Sequence, residues 1–272
     1  MIHGDLMAEL PFFTVIVPTH KRAVLLRRTL ASINAQRDGV GGVEILVISD
    51  ATDGDTDAAC AELLTPADMY VRRNGPSGPS ASRNMGLALA KGAYILFLDD
   101  DDSWHDGFLP ALRAQPAVQQ GLPVYFNCSI VNERRGADAA ILSEGGADLA
   151  GRLTDEIYLK NQIPVCCFAF PRALLAGLKF DAHMRAYEDW EFMLAVYARQ
   201  KAVHVPLIGA RIFKDSGAES ERRGVSQQSH DYNAVFDYLY VYRRHPAPNA
   251  DLGQRRASLL NSFNIPVTAE MV

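Results

Sequence analysis

The first hundred residues alternate between short apolar runs and segments in which apolar residues follow a helical spacing. The apolar runs predict strands at residues 12–17, 43–48, 69–72 and 93–98. Helices are predicted between them at residues 22–36, 54–64 and 80–91. Strands separated by helices are typical of a parallel sheet with right-handed crossovers, so we expect a Rossmann-like α/β fold.

The second half of the chain is less regular. It predicts strands at residues 124–131, 165–170, 203–205 and 208–213. It predicts helices at residues 106–119, 152–160, 188–200 and 226–244. Loops are predicted at residues 133–151, with a weak strand at 139–142, and at residues 214–224. No linker or internal repeat interrupts the pattern, so we expect one domain with a mostly parallel sheet flanked by helices.

Four consecutive carboxylates, Asp99 to Asp102, follow the central apolar strand. Two unit charges about 4 Å apart repel by about 1 kcal/mol in water and about 4 kcal/mol near a protein surface. The run is therefore costly unless positive charge lies within it. Because open α/β sheets bind ligands at the carboxyl ends of their strands, we interpret the run as a divalent-metal site. The alternative is a solvated acidic turn that begins the next helix.

Two earlier strands also end in polar residues, at Pro18-Thr19 and at Ser49-Asp50. We expect these residues to share one sheet edge with the acidic run. The chain contains neither G-x-G-x-x-G nor G-x-x-x-x-G-K-[ST], which disfavours the usual dinucleotide fold and a P-loop. A nucleotide bound at this edge would therefore be held by a metal and side chains.

Composition narrows the function classes. The chain is 48% hydrophobic and 22% charged, which allows a packed core, and its net charge of -5 argues against a nucleic-acid partner. No apolar run approaches the roughly 20 residues of a membrane span, and Met1 to Asp5 do not begin a secretory signal. The four cysteines lack C-x-x-C spacing, which predicts reduced thiols and a cytoplasmic protein.

Five motifs, in this order, resemble those of the inverting family 2 glycosyltransferases of GT-A fold. They are Val15–Thr19, Glu44–Asp50, Ala81–Gly86, Asp99–Asp102 and Glu188–Trp190. The resemblance implies a nucleotide-sugar-binding half at residues 1–110, a smaller acceptor and catalytic half at 111–225, and a C-terminal helical segment at 226–272. It also implies a nucleotide-diphosphate sugar donor, favouring a UDP-sugar, and a carbohydrate or lipid-linked acceptor.

The resemblance assigns the nucleotide contacts residue by residue. Pro18 and Thr19 would line the nucleotide pocket, and Asp50 would accept a hydrogen bond from the base. Arg83 would approach the nucleotide, and Asp100 would face the ribose.

It also assigns the metal and the base. Asp99 and Asp101 would form the D-x-D motif on one face of an extended segment and hold Mg2+ or Mn2+ against the diphosphate, with Asp101 as the ligand. Asp189 would be the general base that deprotonates the acceptor hydroxyl. Some family members add a late histidine ligand, for which His204 and His230 are the candidates here.

The chain departs from the family's usual pattern at two points. His20-Lys21-Arg22 replaces the more common aromatic-Asn-Arg, and Ser49-Asp50 supplies one acidic residue where two are usual.

Several of these residues have a plainer interpretation. Asp189 could complement the helix dipole, and Arg83 could be an exposed helical charge. The acidic residues of Asp53 to Asp57 favour turn and cap chemistry over a calcium loop, which would need a different spacing. Trp104 could be a packing anchor or a platform for a sugar.

The aromatic segment at residues 236–244 admits three interpretations: it completes the core, makes a homodimer contact, or rests peripherally on the inner face of a membrane near a lipid-linked acceptor. Three functions stay open from the sequence. They are an inverting sugar transferase in glycan or surface-polysaccharide assembly, a sugar-1-phosphate nucleotidyltransferase, and a non-catalytic nucleotide-sugar-binding module.

Overall fold

The computed structural model describes residues 10–184, 186–216, 232–263 and 265–272. Within these ranges the strands are β1 (Phe13–Thr19), β2 (Val43–Ser49), β3 (Met69–Arg72), β4 (Tyr94–Phe97), β5 (Ser103–Trp104), β6 (Val124–Arg134), β7 (Ala140–Ala147), β8 (Phe168–Pro171) and β9 (Val203–Asp215). The α-helices are α1 (Ala23–Asn34), α2 (Gly54–Leu63), α3 (Pro79–Leu89), α4 (Phe108–Arg113), α5 (Pro116–Gln119), α6 (Glu188–Arg199), α7 (Tyr232–Arg244) and α8 (Ala250–Asn261). Short 3₁₀ helices cover Asp155–Tyr158, Val165–Cys167, Arg172–Leu175 and Ala269–Met271.

These strands form one mixed sheet in the order β3-β2-β1-β4-β8-β6-β9-β5, and β7 pairs with β6 beside this path. Strands β1 to β4 run parallel, while β8 joins β4 and β6 in antiparallel orientation. The α/β prediction with a mostly parallel sheet is confirmed. The elements of the first hundred residues begin and end within a few residues of their predicted positions.

The central strands are buried on both faces. Every residue of β1, β2 and β4 is buried, as expected of strands covered by helices on both sides. Helix α3 lies against β1 at Gly86, where an added Cβ would come within 2.5 Å of Ile16 Cγ2. This close approach places the first turns of α3, which carry Arg83, at the carboxyl edge of the sheet.

The predicted helix at residues 106–119 is wrong as one element. The chain forms α4 and α5 instead, and Gln115 between them has extended backbone angles. The cause is Pro116, which disfavours helical angles in the preceding residue and cannot donate to an earlier carbonyl.

Other predictions for the second half also need correction. The loop predicted at residues 133–151 is mostly a hairpin, because β6 extends to Arg134 and pairs with β7. The weak strand predicted at 139–142 is confirmed, and as β7 it is longer than expected. The expected helix at 152–160 is one 3₁₀ turn, and the expected strand at 165–170 begins as a 3₁₀ turn before β8. The two short strands predicted at 203–213 are one strand, β9, whose register with β6 shifts near Asn127.

The aromatic C-terminal segment contributes to the core along one face of α7. Tyr238, Val241 and Tyr242 are buried, and the Tyr238 and Tyr242 rings lie 5.1 and 5.7 Å from the Trp190 ring. Phe236 and Tyr240 on the same helix are exposed. The core interpretation is confirmed for this face, and the dimer and membrane interpretations stay predictions.

Two predicted elements fall partly outside the described residues. They are the polar loop at 214–224, from residue 217 onward, and the helix at 226–244, up to residue 231. In the described part of the chain, no helix has both the length and the apolar character needed to cross a membrane.

Candidate active site

The carboxyl ends of β1, β2 and β4 open into one cavity of about 290 Å³. The cavity is bordered by the loop before α3, by α3 itself and by the first residue of α6. Its lining residues are Pro18, Thr19, His20, Arg22, Asp50, Gly78, Pro79, Ser82, Arg83, Asp99, Asp100, Asp101 and Glu188. All the residues with a predicted role at the nucleotide or the acidic run line this cavity. The predicted base Asp189 does not line it, but it follows the lining residue Glu188 in the sequence.

The acidic run forms a turn in which the Asp102 N–H donates to the Asp99 carbonyl at 3.1 Å. The expected extended segment is therefore wrong, although Asp99 and Asp101 still reach the same cavity. The solvated-turn alternative is also excluded, since Asp100 and Asp102 are buried. Asp102 accepts a hydrogen bond from the Phe213 N–H on β9, which joins the turn to the far half of the sheet.

Asp100 is fixed against the end of β1. Its carboxylate accepts hydrogen bonds from the Thr19 hydroxyl at 2.7 Å and from the His20 N–H at 3.3 Å. Burial raises the pKa of Asp100 to about 6, although the Thr19 hydroxyl and Arg22 oppose this shift. Thr19 therefore orients an acidic side chain as well as lining the cavity.

Asp101 lies between two arginines. Its Oδ2 atom is 3.4 Å from Arg22 Nη1 and 3.3 Å from Arg135 Nη2. Burial and the neighbouring Asp99 raise the pKa of Asp101, and the two arginines oppose that shift. The positive charge that the acidic run requires is thus supplied by side chains remote in sequence.

Arg83 joins the acidic turn to α6. Its Nη2 atom is 2.7 Å from Asp99 Oδ1, and its Nη1 atom is 3.1 Å from Glu188 Oε1. The side chain is buried, which excludes the exposed-charge interpretation, and its Nε has no hydrogen-bond partner in the described structure. Burial lowers the pKa of Arg83, but Asp99 and Glu188 outweigh it and raise that pKa overall.

Asp50 is also buried and closely bonded. It contacts His20 Nδ1 through Oδ1, and its Oδ2 accepts from the Gly78 N–H at 2.6 Å. Arg73 lies 3.5 Å from the same oxygen and bonds the carbonyls of Pro76 and Gly78. A base that binds Asp50 would therefore meet a carboxylate already oriented by its neighbours.

Asp189 lies in the first turn of α6, after Tyr187, which has a left-handed φ of 62°. Its oxygens accept hydrogen bonds from Asn161 Nδ2 at 3.3 Å and from the Trp190 N–H at 2.8 Å. Burial and the adjacent Glu188 raise the pKa of Asp189 to about 6. Glu188 stands on the cavity wall while Asp189 is packed beside it, so its role as the base stays a prediction.

The carboxylates of Asp99 and Asp101 fit a hard divalent cation. Both residues line the cavity, and the pKa of Asp101 is raised. A cation bound nearby would lower that pKa and keep the carboxylate charged. Among the described residues, no group of three His, Cys, Asp or Glu side chains could hold a metal ion. Mg2+ commonly takes one or two protein carboxylates and completes its shell with substrate phosphates and water, and a metal at Asp99 and Asp101 stays a prediction.

The remaining candidates lie elsewhere. His204 bonds Asn127 Oδ1 at 2.9 Å and does not line the cavity, and His230 falls outside the described residues. Asp53 caps α2 by accepting from the Thr56 N–H, which confirms the cap interpretation. Trp104 is buried against Phe108, which confirms the packing interpretation.

Sequence reasoning missed Arg73, Arg135 and Glu188 as parts of the site. Glu188 was open to recognition because it precedes Asp189 in the same motif. Arg73 and Arg135 gave no local signal, since each reaches its carboxylate only through the packing of distant segments.

Comparison with known proteins matches residues 14–134 to the model of Glycosyl transferase family 2. The GalNAc(5)-diNAcBac-PP-undecaprenol beta-1,3-glucosyltransferase of Campylobacter jejuni is 28% identical over 234 residues, covering 85% of this chain and 72% of that protein. The succinoglycan biosynthesis protein ExoO of Rhizobium meliloti is 32% identical over 204 residues, covering 70% of this chain and 57% of that protein.

Solved structures share the fold. S. aureus TarS 1-349 in complex with UDP-GlcNAc has a TM-score of 0.62 at 19% identity, covering 93% of this chain and 73% of that one. The mannosyltransferase PcManGT from Pyrobaculum calidifontis, in complex with GDP-Man and Mn2+, has a TM-score of 0.53 at 19% identity, covering 93% of this chain and 65% of that one. Residues 14–134 match glycosyl transferase family 2, with their motifs gathered at one sheet edge, and the fold of the chain is that of the GT-A transferases.

Proposed function

We propose that this chain is an inverting transferase that moves a sugar from a nucleotide-diphosphate sugar, a UDP-sugar by preference, to an acceptor hydroxyl in glycan or surface-polysaccharide assembly. The relatives support the acceptor class. The name of one relative includes an undecaprenol-linked glycan, and that of another places it in succinoglycan biosynthesis. We expect a carbohydrate or lipid-linked acceptor, and a cytoplasmic protein that works at the inner face of a membrane.

One observation carries the proposal. Arg83 bonds both Asp99 of the acidic turn and Glu188 at the start of α6, so the proposed donor and acceptor sides share one cavity wall. A glycosyl transfer needs these two sides close together, because the acceptor must attack the sugar while the diphosphate leaves.

On the donor side, Pro18 and Thr19 would line the nucleotide and Asp50 would accept from its base. Asp100, oriented by the Thr19 hydroxyl, would face the ribose. Arg83 would approach the nucleotide from α3, where its buried Nε has no hydrogen-bond partner among the described residues.

Asp99 and Asp101 would hold Mg2+ or Mn2+ at the acidic turn. When bound, this cation would stabilise the negative charge that develops on the diphosphate as the sugar–phosphate bond breaks. The chain's own contribution is to orient the two carboxylates and to balance their charge with Arg22 and Arg83.

Asp189 would take the proton from the acceptor hydroxyl as that oxygen attacks the anomeric carbon. General-base catalysis works best when the pKa of the base is near the working pH, and burial brings the pKa of Asp189 to about 6. A single displacement inverts the anomeric centre and requires no carboxylate nucleophile.

We expect the Asp189→Asn substitution to reduce sugar transfer by a factor of 10² to 10⁴, the usual contribution of a general base, while nucleotide binding survives. Transfer is measured with a radiolabelled UDP-sugar, binding by calorimetry with UDP, and the product anomer by NMR. The matched control is Asp53→Asn, which keeps a good N-cap at a residue that does not line the cavity.

Four results would contradict parts of the proposal. Unchanged transfer by the Asp189→Asn protein would overturn the base assignment, and a retained anomer would overturn inversion. No transfer by the wild-type chain, with UDP-sugar binding intact, would favour the non-catalytic module. Pyrophosphate release from a nucleoside triphosphate and a sugar-1-phosphate would favour the nucleotidyltransferase.

A further inference from the structure

The cavity carries an excess of negative charge before any donor binds. Its lining contains five carboxylates, Asp50, Asp99, Asp100, Asp101 and Glu188, against two arginines, Arg22 and Arg83. A diphosphate would bring further negative charge to within a few ångströms of these groups, where like charges repel by several kcal/mol. Binding a donor here therefore calls for cationic groups beyond those in the lining.

Arg135 is placed to supply one of them. It follows β6 directly, and its Nη2 atom is 3.3 Å from Asp101 Oδ2 on the cavity wall. Its Nε is anchored at 2.7 Å to Glu133 Oε1, and a quarter of its side chain is exposed. The guanidinium is thus tethered at one nitrogen and reaches toward the cavity with another.

The contact between Arg135 and Asp101 is loose. Charge-assisted N–H···O bonds are typically about 2.7–2.9 Å long, whereas Asp101 Oδ2 lies 3.3 Å from Arg135 and 3.4 Å from Arg22. Two guanidinium groups converging on one oxygen form a site that another anion can enter. A phosphate oxygen would suit it, because the planar guanidinium fork matches phosphate geometry.

Arg135 is not needed to hold the β6–β7 hairpin to the acidic turn. Arg28 already makes that connection, with Nη1 at 2.6 Å from Glu133 Oε2 and Nη2 at 2.6 Å from the Asp101 carbonyl oxygen. The charge of Arg135, which also pairs with Glu133, is therefore not required to hold these segments together.

We propose that Arg135 binds the diphosphate of the donor, exchanging its contact with Asp101 for a phosphate oxygen when the nucleotide enters. This inference rests on the proposed function, and it adds a residue from outside the nucleotide-binding half to the donor site. Arg135 then neutralises charge on the departing diphosphate and frees the Asp101 carboxylate to face a cation.

The test is calorimetric binding of UDP, inorganic pyrophosphate and uridine to the full chain, with EDTA and with Mg2+. We expect Arg135→Gln to weaken UDP and pyrophosphate binding about tenfold, which corresponds to about 1.4 kcal/mol, and to leave uridine binding unchanged. Arg135→Lys keeps the charge and should retain most of the UDP affinity. Arg134→Gln, which removes the exposed neighbouring charge, is the matched control and should change UDP affinity less than twofold.

The possible results separate the two proposals. UDP and pyrophosphate affinity unchanged in Arg135→Gln, or an equal loss for uridine, would overturn the role of Arg135 and leave the proposed function standing. The role would also be overturned if Arg135→Lys or Arg134→Gln lost as much UDP affinity as Arg135→Gln. A wild-type chain that binds none of the probes would overturn the proposed function and this inference with it.

Discussion

At the scale of single residues, the charged side chains of the site differ in whether an ion pair balances them. Arg83 has two carboxylate partners, whereas Asp189 has a raised pKa of about 6 and, among the described residues, accepts hydrogen bonds from the neutral donors Asn161 and Trp190 N–H. An ion pair holds a carboxylate in its charged form, while burial without one favours the proton. The difference suits Arg83 to hold a fixed positive charge at the proposed donor site, and it suits Asp189 to exchange a proton.

The raised pKa of Asp189 predicts that sugar transfer depends on pH. Because Asp189, as the proposed base, must be deprotonated to accept the hydroxyl proton, we expect kcat/KM to fall about tenfold per pH unit below pH 6. The measurement is a pH profile of kcat/KM from about pH 4 to about pH 8, roughly two units on either side of the expected midpoint, in buffers of constant ionic strength.

A second variant tests the cause of that shift. Glu188 raises the pKa of Asp189 through like charge, so Glu188→Gln should move the acidic limb of the profile to lower pH. A wild-type profile that stays flat below pH 6, or a limb unmoved by Glu188→Gln, would show that another group governs the dependence.

At the scale of elements, the placement of α3 controls the donor side of the cavity. The helix carries Arg83 and Ser82, and it approaches β1 closely because Gly86 has no side chain. The packing contact between Gly86 and Ile16 thus brings the motif residues of α3 to the sheet edge. Sequence periodicity predicted helix α3, but the short distance between α3 and β1 follows from the contact at Gly86.

We expect Gly86→Ala to destabilise the protein by about 1–3 kcal/mol, the usual cost of overpacking a core. The added Cβ would lie 2.5 Å from Ile16 Cγ2, on a β-branched side chain that is fully buried. The matched control is Gly253→Ala in α8, where the nearest atom would be 3.6 Å away and helix propensity should stabilise by up to about 1 kcal/mol. Urea unfolding of both variants measures the two free energies, and a Gly86→Ala protein as stable as the control would contradict this packing argument.

The elements also show where prediction from sequence failed. The apolar runs of β1, β2 and β4 were recognised because burial on both faces leaves a continuous apolar signal. Strand β7 was predicted only in part, at residues 139–142, because all but its last residue are exposed and its full length follows from backbone pairing with β6. The local pattern of apolar residues predicts which strands are buried, but it does not predict which distant strands pair with each other.

At the scale of the whole molecule, the cavity depends on segments that lie far apart in the chain. Asp50, Asp100 and Glu188 belong to different elements, yet they line one space at the carboxyl edge of the sheet. Ligands that fill this space should stabilise the folded chain against unfolding by mass action.

We expect UDP-sugars with Mg2+ or Mn2+ to raise the melting temperature. A ligand at 100 times its Kd stabilises by about 2.7 kcal/mol, which for a domain of this size corresponds to a shift of about 5–10 °C. A thermal-shift screen of UDP-, GDP- and ADP-sugars, each with the cation and with EDTA, measures the effect. A screen in which no nucleotide sugar shifts the transition would contradict a donor site in this cavity, and a larger shift from GDP- or ADP-sugars would contradict the preference for UDP.

The sequence by itself determined the parallel half of the sheet, the edge at which polar residues collect, and the motif order that resembles the family. These features follow from local causes: continuous apolar runs, helical periodicity, and proline or glycine at the ends of elements. Only the tertiary structure decided which cations balance Asp99 to Asp102, and that Glu188 rather than Asp189 stands on the cavity wall. The physical reason is that a buried charge selects its partner through the packing of distant segments, which no local pattern records.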